Sequence, residues 1–126
     1  MHTSGSSRFR RALLADGAFC VVVGVLVAVF TPWLEDELPV PESWLITAAG
    51  MVTAAWGGLL LAASRLYPTR RALGFVASVN VVVVLAALAW LVLEGGEMTG
   101  TGIVVVGALG ISVLRFAIYQ TGLFRQ

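Results

Sequence analysis

The chain has 126 residues, of which 59% are hydrophobic and only 12% charged, and its mean hydropathy is +0.94. A soluble domain carries roughly a quarter charged residues, so this chain lacks the polarity to cover a water-facing surface, and lipid is the expected surrounding. A net charge of +1 with pI near 8.0 gives no basis for nucleic-acid binding.

The length fits one domain. Residues 1–9, rich in Ser, Gly and Thr, read as a flexible tail. Its lone histidine, His2, cannot build a metal site by itself. Arg8, Arg10 and Arg11 then precede an apolar run that is too long for a signal-peptide h-region. No small-x-small cleavage site follows, so an uncleaved first helix is expected over about 11–33. The next segment holds Pro32, Pro39 and Pro41 with the acids Glu35, Asp36 and Glu37, and proline secures the break. Those adjacent acids read as a solvated loop, since calcium loops space their ligands alternately. A second helix is expected over about 43–66, ended by Pro68, with Thr69 as N-cap of a third over 70–93. Gly95 and Gly96 break that run, and the fourth covers about 100–124. Each has the roughly 20 residues that cross about 30 Å of hydrocarbon. The expected fold is therefore all-α, a four-transmembrane-helix bundle.

With four crossings, Arg8, Arg10, Arg11, Arg65, Arg70, Arg71 and Arg125 fall at one end of the bundle. Glu35, Asp36, Glu37, Glu42, Glu94 and Glu97 fall at the other. Arginine-rich ends stay cytoplasmic, so both termini are expected there, in the cell membrane. Trp33, Trp44 and Trp90 fall near the acidic end as interfacial anchors. The Arg-Arg-Ala-Leu of residues 10–13 recurs at 70–73, and the Val run at 21–23 recurs at 81–83. Two readings stay open: a tandem parallel repeat of two helical hairpins, or chance matches in an Ala/Val/Leu-rich sequence.

Two charges are left inside apolar runs, Asp16 and Arg115. A charge in mid-membrane is costly and marks a functional candidate. Arg115 lies on a stripe with Ala108, Ser112, Tyr119 and Gly122, whose small and polar members suggest a helix-facing side. Asp16 and Asn80 enter the membrane from the same end. An intramembrane cluster of Asp16, Asn80 and Arg115, edged by Ser112 and Tyr119, is the expectation. It reads first as a structural lock and second as a transport pathway. A third reading leaves Asp16 unpaired near its helix N-terminus.

Gly50, Ala54, Gly58 and Ala62 put a small residue at every fourth position of the second helix, and Gly17 and Gly24 do so more sparsely on the first. Close packing along such stripes drives helix association in lipid. Cys20, the only cysteine, reads as a small apolar helix residue. Neither a cofactor nor a metal site is expected, and no catalytic motif stands out. The sequence thus favours a non-enzymatic accessory, scaffold or interaction subunit. The alternative is a small oligomeric transporter or channel using Asp16 and Arg115. Expected partners are the bilayer and either a homo-oligomer or a larger membrane complex.

Overall fold

A computed structural model describes residues 3–125, with side chains described for residues 7–125, so His2 lies outside the described residues. The elements are α1 (Thr3–Val29), α2 (Thr31–Leu34), α3 (Trp44–Leu66), α4 (Arg70–Glu94), a 3-10 turn over Gly95–Glu97, and α5 (Gly100–Arg125). Among the described residues there is no strand, and four segments are long and apolar enough to cross a membrane. The chain is a multi-pass membrane protein with four spanning helices, as its composition requires.

Two boundaries differ from expectation at the first helix. Residues 3–9, expected as tail, belong to α1, which begins at Thr3. The helix also stops at Val29, and residues 31–34 form the single turn α2. Pro32 explains the break: it fits the first turn of a helix, where its missing N–H costs nothing, and fits no helix interior. The later boundaries follow the capping signals. Thr69 has extended φ and ψ, and its hydroxyl accepts from Ala72 N at 3.2 Å. Thr99 holds the start of α5 in the same way, accepting from Gly102 N at 3.0 Å.

The bundle is two antiparallel hairpins, α1 with α3 and α4 with α5, and α1 makes most of the contact between them. In the first hairpin the backbones nearly touch. A Cβ placed on Gly57 would lie 2.6 Å from Gly17 O, and one on Gly50 would lie 2.6 Å from Gly24 O. The contact stripe on α3 is thus Gly50, Ala54 and Gly57. This corrects the expected every-fourth stripe, because Gly58 has open space around it and Ala62 is exposed. The reason is geometric. At 3.6 residues per turn each four-residue step drifts by about 40°, whereas a seven-residue step returns close to the starting line.

Both hairpins are tied at the arginine end by the same device. Arg10 Nε donates to Ser64 O at 3.0 Å, and Arg70 Nε donates to Phe124 O at 2.6 Å. The last carbonyls of a helix lack intrahelical donors and carry partial negative charge, so a cation suits them. The repeated Leu13 and Leu73 are both fully buried in the core beside these links. At the acidic end the loop after α2 crosses to the start of α5. Thr99 N donates to Glu37 O at 3.3 Å, and the Thr99 hydroxyl donates to the Glu37 carboxyl. Gly102 is required there, because any Cβ would collide with Glu37 O.

Candidate functional site, a buried polar triangle

Asp16 enters from α1, Asn80 from α4 and Gln120 from α5, each no more than 4% exposed. Asn80 Nδ2 donates to Asp16 Oδ2 at 2.8 Å and to Gln120 Oε1 at 2.7 Å. Gln120 Nε2 donates to the same Asp16 Oδ2 at 2.7 Å. The three side chains close a triangle that joins the two hairpins. On the remaining side, Cys20 Sγ donates to Asp16 Oδ1 at 3.5 Å, one turn along α1. Among the described residues no buried side-chain nitrogen or oxygen lacks a hydrogen-bond partner.

Asp16 and Asn80 meet as expected, but Arg115 does not join them. Arg115 is exposed on the flank of α5, where it lines a groove with Phe19, Ser112, Phe116 and Tyr119. Tyr119 is half exposed, and the Ser112 hydroxyl donates to Ala108 O of its own helix at 2.9 Å. The inward face of α5 is instead Gly102, Val106, Ala117, Gln120 and Leu123. At about 100° per residue, Gly102 and Gln120 lie on one line, and Arg115 is turned about 140° away from it. The expected stripe is therefore nearly opposite to the true one.

Gln120 was not foreseen. Its signal was available: it stands five residues before Arg125, just as Asp16 stands five after Arg11, so both reach the same depth. Of the expected anchors, Trp33 and Trp44 are 48% and 61% exposed, and Trp90 Nε1 donates to Glu94 Oε2 at 2.8 Å.

Toward the acidic end the bundle opens into an apolar chamber of about 370 Å³, walled by all four long helices through residues such as Val27, Ile46, Val83, Val106 and Leu109. None of Asp16, Asn80 and Gln120 belongs to its wall. Thr53 brings a hydroxyl to it, already donated to Ala49 O at 2.8 Å. Among the described residues no three His, Cys, Asp or Glu side chains converge as metal ligands would. Geometrically, the triangle can hold helices in register. Three of its four amide N–H groups are spent on bonds within it.

Compared with protein-family models, curated proteins and solved structures, the chain matches none.

Proposed function

We propose that this chain is a non-enzymatic subunit of the cell membrane, an accessory or interaction protein whose polar triangle is a structural lock. The observation that carries this reading is the closure of the triangle. Both amide N–H groups of Asn80 and one of the two on Gln120 are committed to partners within it, and all three side chains are buried. The orientation we propose, both termini cytoplasmic, rests on the gathering of seven of the eight arginines at one end.

The test is flux. Purified full-length protein in liposomes should leave a proton gradient and a potassium gradient to decay at the rate of empty vesicles, and Asp16→Asn should change nothing. A leak in the intact protein that vanishes in Asp16→Asn would replace the lock with a transport pathway. Cysteine labelling from either side, at Ser7→Cys and Glu97→Cys, reads the orientation: only Glu97→Cys should react with an impermeant reagent added outside cells.

A further inference from the structure

Arg115 brings a guanidinium cation to the flank of α5. It sits deep in the span Gly100–Arg125, with fifteen residues before it and ten after it. At 1.5 Å per residue those distances to the helix ends are about 22 Å and about 15 Å, so the charge lies within the hydrocarbon, nearer the arginine-rich end. Helical side chains lean toward the helix N-terminus, here the more distant end, so snorkelling to the nearer interface works against the Cα–Cβ direction. Among the described residues Arg115 has no hydrogen bond, ion pair or aromatic ring beneath its charge; the cation over a ring is Arg70, above Phe124.

The surface around it is shaped as well as charged. Phe19 and Phe116 stack tilted with centroids 5.2 Å apart, joining α1 to α5. With Ser112 and Tyr119 they border a groove of about 390 Å³ beside the guanidinium. A lone cation in lipid calls for an anion at its own depth. A second copy of this chain cannot supply one. Its intramembrane acid, Asp16, is 2% exposed and bonded to Asn80 and Gln120, and its six other acids lie at the far end.

We propose that the α1–α5 groove at Arg115 is the docking site for a transmembrane helix of a different protein, one carrying an Asp or Glu near the bilayer midplane. The inference rests on reading this chain as a membrane subunit, and it names the chemistry of the partner. The pair would form a charge-assisted hydrogen bond in a medium that screens it little, with the aromatic rim excluding lipid from it.

The test uses full-length protein labelled at Ser7→Cys in phosphatidylcholine vesicles at pH 7.5. The probe is a synthetic Leu/Ala transmembrane peptide bearing one central Asp, compared with the same peptide bearing Leu or Lys. Energy transfer should show the Asp peptide binding at least ~10-fold more tightly than the Leu peptide, a factor worth ~1.4 kcal/mol. Arg115→Leu should abolish that preference, and Arg115→Glu should transfer it to the Lys peptide. Equal binding of Asp and Leu peptides, or a preference that survives Arg115→Leu, overturns the proposal. So does loss of Asp-peptide binding when phosphatidylglycerol is added, which would give the groove to a lipid phosphate. Self-association of the intact protein that disappears in Arg115→Leu would give it to a second copy and also overturns it. Ion leak by the intact protein in these vesicles would sink the subunit reading itself; silent vesicles with indifferent peptides sink only the pairing.

Discussion

At Asp16 the two side-chain amides converge on one oxygen, and this decides which substitution breaks the triangle. Asp16→Asn keeps an oxygen that can stand where Oδ2 stands, so the bonds from Asn80 and Gln120 survive and only the long one from Cys20 is lost, and stability should change by about 1 kcal/mol or less. Asp16→Ala leaves the Asn80 and Gln120 donors without an acceptor in a buried site, at a cost of about 1–3 kcal/mol for an orphaned group. Thermal unfolding in detergent measures both; equal losses in the two variants would mean that charge, not acceptor geometry, holds the site. Asp16 and Asn80 were legible because each interrupts an apolar run and invites a partner. The partner on α5 was not legible, because small and polar residues occupy both faces of that helix. Ala108 and Ser112 mark the outer face as plausibly as Gly102 and Gln120 mark the inner. Composition does not choose between two such stripes; packing does, and packing is not written along a single helix.

Among the elements, α1 and α3 form the tightest pair, and the pattern that joins them is a seven-residue glycine spacing on both helices, Gly17 to Gly24 against Gly50 to Gly57. In lipid, close backbone approach of this kind supplies the attraction that water supplies elsewhere. The positions 57 and 58 make a sharp comparison because they are adjacent and chemically identical. A Cβ at 57 would lie 2.6 Å from both Gly17 O and Val21 N, backbone atoms that cannot swing aside, whereas one at 58 meets nothing within 4 Å. Gly57→Leu should therefore push the hairpin apart and cost more than the ~1–3 kcal/mol typical of overpacking. Gly58→Leu should leave the unfolding temperature within a degree or two. A loss at 58 matching that at 57 would move the contact face. The existence and length of all four spanning helices could be read from hydropathy, and their breaks from Pro32, Pro68 and Gly95–Gly96. The seven-residue glycine spacing is equally present in the sequence, and at 3.6 residues per turn it stays on one face where a four-residue spacing drifts off it.

For the whole molecule, the two ends of the bundle are built to different standards. The arginine half is filled: Leu13, Leu60, Leu73, Val76 and Leu123 pack into one cluster with Cys20, whose thiol bonds Asp16, and Leu13 and Leu73 have no exposed surface at all. The acidic half is hollow, with the chamber of about 370 Å³ between the hairpins and a link of loop backbone across its top. Where atoms are already in contact, removing methyl groups leaves a cavity that the surroundings refill only in part. Where space is already open, adding methyl groups gains contacts and displaces nothing. Leu73→Ala should thus lower stability by about 2 kcal/mol, the lower end of the range for such truncations, since lipid does not penalise apolar groups as water does. Ala87→Leu extends into the chamber opposite Gly110, which has no side chain to oppose it, and should hold or raise the unfolding temperature. Measured side by side in one detergent, opposite signs would place the rigidity of this protein in the half that carries its arginines. The end facing away from them would then be the half left free to yield.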